Sequence, residues 1–460
     1  MKDNMANANQ KSMVTDLTTG GVFSNLVRLA VPFMLSNLLQ MLYSMIDMIV
    51  VGQYVGSTGL SAVTISSQII MLMTTIATGF ASAGQVLISQ QVGSKDSEGR
   101  KNTIGTLFST LLIMAAVMTV VGLTLYVPML RLLQVPQESF SQAADYMLVC
   151  SGGIVFTYGY NSISAILRGM GDGKRPLVFI GIASLINVAL DLLFVGPMGL
   201  QAAGAAWATI IAQAVSFLIS IVYLYREREA FGFDFHLSSF RIHKNILSIL
   251  LRLGLPAALQ HSAISISMLF INGFINVYGL AASAAFGVGR RVEMLPTTLT
   301  MSVSMAVSAM VGQNMAAGEV KRSKQTVYYA LCVNLSVTLV AFVCFALWPR
   351  GVFAIFTQDE SVLELSKLLM TTILIGMPAF PIMQAFNPFI QGIGNARLSL
   401  IIGLMDGVVA RIGLCLLFEQ VLHMGMFGVL LGYTLATYVT AIPAMVYFLS
   451  GIWKKRKLLV

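Results

Sequence analysis

Long apolar runs succeed one another along the whole chain, each closed by charges, glycine or proline, and this constrains the fold more than any other feature. A membrane-spanning helix needs about 20 residues to cross about 30 Å of hydrocarbon. Runs of that kind fall at roughly 25–51, 61–88, 103–127, 146–167, 177–195, 203–225, 247–277, 281–311, 326–348, 368–390, 398–418 and 426–449. With 57% hydrophobic and only 10% charged residues among 460, the composition suits lipid better than water as the solvent. In lipid every backbone polar group must find its partner internally, so the runs are read as helices. The expected fold is an all-α polytopic membrane protein with 12 transmembrane helices.

The loops set the orientation. One alternating set carries Lys95, Arg100 and Lys101; Lys174 and Arg175; Arg226, Arg228, Arg241 and Lys244; Lys321, Arg322 and Lys324; Arg397; and the tail Lys454-Lys455-Arg456-Lys457. The other set holds only Arg131, Arg350 and Lys367. Cytoplasmic loops carry the excess of Lys and Arg, so both termini are expected on the cytoplasmic side of the cell membrane. Because the net charge of +9 is spread over these loops and not gathered on one patch, no nucleic-acid partner is expected. The first twenty residues are polar and lack the apolar core of a signal peptide. Cys150, Cys332, Cys344 and Cys415 sit in apolar segments without metal-ligand spacing, and no cofactor is expected.

The chain also repeats itself. The stretch from Gly56 resembles the one from Gly279, an offset of 279 − 56 = 223. Ser89-Gln90-Gln91 matches Gly312-Gln313-Asn314, and RGMGDGK from Arg168 matches QGIGNAR from Gln391, both at 223. Arg28 to Pro32 matches Arg252 to Pro256 at 224. Six spans per repeat is an even number, so the repeats run parallel, related by an axis along the membrane normal. The expected organisation is a cytoplasmic tail over 1–20, an N-lobe over 21–225 (spans 1–6), a cytoplasmic linker over 226–246, a C-lobe over 247–450 (spans 7–12) and a basic tail over 451–460. Gly169, Gly171 and Gly173 are read as a tight turn, not a phosphate loop.

Charges inside spans are costly and are read as functional by default. Asp191 is the only charge in PLVFIGIASLINVALDLLFV (176–195), with Asn187 one turn earlier on the same face. Asp47 and Asp191 both lie five residues before a glycine that ends the span, roughly 7–8 Å inside the outer boundary at 1.5 Å per residue. Thr209 lies at a comparable depth, roughly 9 Å. Two carboxylates meeting in such a place do not both ionise cheaply and can take up a proton. Alternatively, with the Asn and Thr oxygens they can ligate a hard cation such as Na⁺. The second half holds Arg290, Arg291 and Glu293 in span eight and Asp406 and Arg411 in span eleven. There the acids are accompanied by bases, so charge-compensated structural pairs are the first reading and a second ion or substrate site the alternative.

Pro32, Gln40, Asp47 and Gly52 in span one, Gln90 and Gln313 at the ends of spans two and eight, the RGMGDGKRP turn and Asn187-x-x-x-Asp191 together resemble the multidrug and toxic compound extrusion (MATE) family. The resemblance covers about residues 21–450. It implies two six-helix lobes around a central cleft, acting as a monomer that exports small organic cations or amphiphiles in exchange for H⁺ or Na⁺ by alternating access. In one branch of the family, paired acids in spans one and five form the coupling site with an Asn and a Thr, which map onto Asp47, Asp191, Asn187 and Thr209. Another branch uses a Glu in span seven and an acid after span ten. Here span seven has no acid, and the later position is Asn395. A flippase for lipid-linked oligosaccharide is the alternative, but it calls for a strongly cationic cavity, whereas the bases here are matched by acids. A membrane-embedded enzyme would need a convergent nucleophile–base or metal set, which the sequence lacks.

Overall fold

The computed structural model describes residues 13–460; of the tail expected over 1–20, residues 1–12 lie outside the described residues. Twelve long helical stretches follow in order: α1 Val22–Tyr54, α2 Ser57–Gly93, α3 Ser97–Leu132, α4 Gln137–Gly169, α5 Lys174–Val195, α6 Gln201–Arg226, α7 Lys244–Asn276, α8 Leu280–Ala316, α9 Val320–Leu347, α10 Ser366–Gly392, α11 Ala396–Val421 and α12 Gly425–Ser450. Eleven are long and apolar enough to cross a membrane. The other, α4, is 33 residues long and buries Ser139, Ser151, Ser162, Ser164, Tyr158 and Tyr160. It packs against α2, α3 and α6, and a helix so enclosed needs less apolar surface for lipid. The chain is a multi-pass membrane protein.

Two compact units make up the structure. One takes residues up to Leu17, Leu35–Ala258 and Val460; the other takes Thr18–Met34 and Leu259–Leu459. Their internal packing follows one plan. In the first, α2 packs on α4, α3 on α4, α4 on α6 and α5 on α6; in the second, α8 packs on α10, α9 on α10, α10 on α12 and α11 on α12. A single close approach shows how faithfully the plan recurs. A Cβ on Gly169 would stand 2.8 Å from Gln85 O and 3.1 Å from Ile88; on Gly392 it would stand 2.8 Å from Ser308 O and 3.1 Å from Val311. All three positions differ by 223. Small residues at such crossings let two membrane helices approach to backbone contact.

The glycine-rich stretch is a tight turn in both repeats. Gly171 and Gly394 take φ of +82° and +72°, a region open to glycine. Asp172 N donates to Leu167 O at 2.8 Å, and Asn395 N to Ile390 O at 3.0 Å, closing the ends of α4 and α10. The side chains then start the next helix. Asp172 Oδ1 accepts from Lys174 N at 3.0 Å, and Asn395 Oδ1 from Leu398 N at 3.4 Å. Asn395 is therefore a helix cap.

Two helices are irregular. In α10, Pro378 separates Ser366–Gly376 from Ala379–Gly392, as expected of a residue with no N–H. In α11, two π-helical segments, Met405–Ala410 and Leu417–Val421, interrupt the α pattern. The linker is ordered on the first unit. Phe231, Phe233, Phe235 and Phe240 pack ring on ring, and Lys101 Nζ meets Asp234 Oδ2 at 2.6 Å.

Candidate ion-coupling site

In the first unit, α5 carries Asn187 and Asp191 on one face, one helical turn apart. They are 2% and 0% exposed, although from Pro176 to Val195 the helix is otherwise apolar apart from Ser184. α1 brings Asp47 to the same place: the carboxyl groups of Asp47 and Asp191 are immediate neighbours. From α6, Thr209 Oγ1 accepts from Asn187 Nδ2 at 3.4 Å. The four residues singled out in the sequence thus form one cluster. Their depths are less uniform than the apolar runs suggested, because α1 continues past Gly52 to Tyr54 while α5 ends at Val195. Asp47 lies 54 − 47 = 7 residues from the end of α1 and Asp191 195 − 191 = 4 from the end of α5, roughly 10 Å and 6 Å along their axes.

The cluster is rich in acceptors. Asp47 Oδ1, both oxygens of Asp191 and Asn187 Oδ1 are buried, and no donor among the described residues reaches them. Buried acceptors ordinarily find a donor, and two adjoining carboxylates without a base concentrate negative charge in a place of low dielectric. Such a set of hard oxygens is fitted to receive a proton or a small monovalent cation. Residues overlooked in the sequence complete the surroundings. Tyr43 is one turn before Asp47 and beside Gln213, itself one turn past Thr209. Tyr146 OH accepts from Ser67 Oγ at 3.2 Å and lies within electrostatic reach of Asp47. A search four residues either side of Asp47 and Thr209 finds the first two; Tyr146 leaves no such signal.

The second unit arranges its charges differently. Arg411 forks onto Asp406, Nε to Oδ1 at 3.2 Å and Nη2 to Oδ2 at 3.3 Å. Arg290 Nη1 donates to Tyr433 OH at 2.5 Å, and Tyr433 OH donates to Glu293 Oε2 at 3.1 Å. Arg290 Nη1 stands 4.0 Å from the same carboxylate. Both guanidinium groups also lie over the Tyr433 ring, at 5.7 and 5.4 Å from its centre. Four of the five charges found in the sequence are thereby linked through a tyrosine that the sequence did not mark, while Arg291 is exposed. Every carboxylate here has a base. Beside Glu293 is a small open pocket, also lined by Thr297, Thr300, Thr338, Phe345 and Phe380.

Comparison with known proteins agrees with this architecture. Over 447 residues the chain is 29% identical to a Bacillus subtilis protein named "Probable multidrug resistance protein YpnP", covering 96% of this chain and 98% of that one. A transporter of the MOP superfamily from Pyrococcus furiosus superposes with a TM-score of 0.90 at 25% identity, over 96% of this chain and 98% of that one. An outward-facing multidrug resistance MATE family transporter superposes equally well, with the same identity and coverage. The MatE family model matches residues 32–193 and again 256–417. The two matches are displaced by 256 − 32 = 224, the spacing of the internal repeat, and with both halves matched in this way the chain belongs to the MatE family.

Proposed function

We propose that the protein is a secondary active antiporter that exports cationic or amphiphilic drugs and toxic compounds in exchange for H⁺ or Na⁺ by alternating access. It acts in the cell membrane as a monomer with both termini cytoplasmic. The observation that carries the ion coupling is the base-free cluster of Asp47, Asp191, Asn187 and Thr209, in which Asp47 Oδ1, both oxygens of Asp191 and Asn187 Oδ1 are buried and receive no donor from the described residues. Relatives named as multidrug resistance proteins support the drug substrate. Asp47 and Asp191 are the groups that take the ion, with Asn187 and Thr209 supplying further oxygens. The branch of the family with paired acids in spans one and five is the one this chain fits. An ion with equal affinity for the outward and inward states would shift nothing. Ion entry from outside therefore neutralises the pair in one state preferentially, and α1 bends about Pro32 as it does so.

The test is efflux from proteoliposomes under separately imposed pH and Na⁺ gradients. One gradient should drive export, and Asp47→Asn or Asp191→Asn should abolish it in folded protein, while Glu293→Gln lowers it less. Full efflux by both Asp variants at wild-type expression overturns the proposal.

A further inference from the structure

The first helix changes company part way along. Its residues up to Met34 belong to the second compact unit, and from Leu35 onward, including Asp47, to the first. α7 does the converse, changing between Ala258 and Leu259. Both breaks fall two residues after a proline within the helix, Pro32 in α1 and Pro256 in α7. A mid-helix proline removes one intrahelical hydrogen bond and leaves a point at which the helix bends.

What holds the short, pre-proline part of α1 is specific. Gly20, at φ +71°, turns the chain so that the carbonyls of Thr19 and Gly20 face α9. Arg322 Nη1 donates to Gly20 O at 2.8 Å and Nη2 to Thr19 O at 2.9 Å. Its Nε donates to Asn314 Oδ1 at 3.1 Å, which fixes the plane of the guanidinium. Two turns further along α9, Tyr329 packs against Phe23 in a tilted ring contact with centres 5.6 Å apart. The lead-in to α7 is held in the same manner by α3, the counterpart of α9 in the first repeat: Ser109 Oγ donates to Phe240 O at 2.5 Å, and His243 N donates to Thr106 Oγ1 at 3.2 Å. The third helix of each repeat therefore grips the entry to a helix whose far part belongs to the other unit.

We propose that Arg322 is a positioning residue for transport. By pinning the entry of α1 it makes Pro32 the place where any displacement of the Asp47-bearing part of the helix is taken up. The inference rests on the antiport reading above. A fork with two carbonyls and an amide oxygen in one plane is suited to arginine, and lysine, a point charge, meets at most one of the carbonyls well.

The experiment compares Arg322→Ala and Arg322→Lys with the wild-type chain in proteoliposomes, together with amide exchange and ion binding on the purified protein. Arg322→Ala should lower gradient-driven efflux about tenfold or more, since charge-assisted bonds are lost at both carbonyls. Arg322→Lys should fall between. Amide exchange should quicken over Val22–Met34 and stay unchanged over Leu35–Tyr54, and Na⁺ binding or proton uptake by the Asp47–Asp191 pair should match the wild type. Should Arg322→Ala not fold, Tyr329→Ala, which leaves the guanidinium in place, should show the same local pattern with a smaller loss. Wild-type efflux by Arg322→Ala overturns the proposal. So does loss of exchange protection or of ion binding throughout α1, which would make Arg322 a general structural residue. Failure of the antiport reading looks different: Asp191→Asn then keeps its efflux whatever the Arg322 variants do.

Discussion

Asp191→Asn should leave the protein more stable and unable to transport. Asp191 is 0% exposed, neither oxygen receives a protein donor, and its nearest ionisable neighbour is another carboxylate. At a separation of about 4 Å and an effective dielectric constant near 20, two like charges repel by about 4 kcal/mol. Asparagine has nearly the same volume, removes that repulsion and brings an N–H₂ that can donate to Asp47 Oδ1. A gain of about 1–4 kcal/mol follows, and at about 2–4 °C per kcal/mol for a unit of this size the apparent melting temperature should rise by several degrees. Asp47→Asn should gain less, because Asp47 is only half-buried whereas Asp191 is fully buried. The measurement is thermal unfolding in detergent at pH 7 and again at acid pH. The advantage should shrink at acid pH as the wild-type carboxylates themselves become neutral. A melting temperature at or below that of the wild type at pH 7 refutes the reasoning that Asp191 is an uncompensated buried charge. Functional residues held at a cost in stability are the usual trade-off.

Two further outcomes test the reading of the remaining charges. Tyr433→Phe keeps the ring under Arg290 and Arg411 but removes the hydroxyl between Arg290 and Glu293. It should cost about 1.5–3 kcal/mol in stability, typical of a bond to a charged group, with efflux retained; loss of transport as complete as in Asp191→Asn would show that this network does more than compensate charge. In the linker, the Lys101 ammonium foremost, then the Ser239 hydroxyl, hold the Asp234 carboxyl well below the usual carboxylate range. A folded-state pKa below the unfolded value of about 3.9 stabilises at higher pH, and that contribution is lost as pH falls through and beneath it. Limited proteolysis across residues 232–243 should therefore be slow at pH 7 and quicken below about pH 4, while Asp234→Asn should be quick at both. Identical profiles for variant and wild type would refute the assignment.

Much of the architecture was legible because the physical signals were redundant. The twelve helices follow from apolar length, and the repeat from glycine turns whose left-handed backbone leaves few alternatives to glycine, Gly171 and Gly394 above all. The four residues of the proposed coupling site could be found because polar groups stand out against lipid-facing sequence. Other features left no such trace. Helix ends were set too short most clearly in α1, which continues at both ends into the interface where apolarity no longer marks it. The π segments around Asp406 arise from how α11 fits its neighbours, which no local pattern of residues expresses. Tyr433 was missed because an aromatic residue in a span is ordinary; only its place between Arg290 and Glu293 makes it notable. The change of company at Pro32 depends on which helices lie alongside, and proline alone announces a bend without saying what it joins.

A duplicated scaffold invites the question of why the two units treat charge so differently. At the repeat offset, 191 + 223 = 414, Asp191 falls on Leu414, and likewise Asn187 on Ala410 and Thr209 on Gly432; at the offset of 224 that holds around Pro32, Asp47 falls on Ile271. In the other direction Arg290 falls on Ser67, Glu293 on Ile70, Asp406 on Ala183 and Arg411 on Val188. Apart from Arg290 on Ser67, which bonds Tyr146 beside the first site, the charged and polar positions of one site fall on apolar or small residues of the other unit, so the two sets occupy different places on one backbone plan. They also differ in sign balance. In the second unit two acids meet two bases, and a cation entering there would have to displace an arginine already in place. In the first unit two acids meet no base, and a cation or proton arriving there relieves a repulsion. Only an uncompensated site gains from the ion in this way, and the gain is what a gradient can act upon. Under the proposed antiport, the driving ion belongs to the unit of Asp47 and Asp191, and the charges of the second unit hold its helices α8, α11 and α12 together.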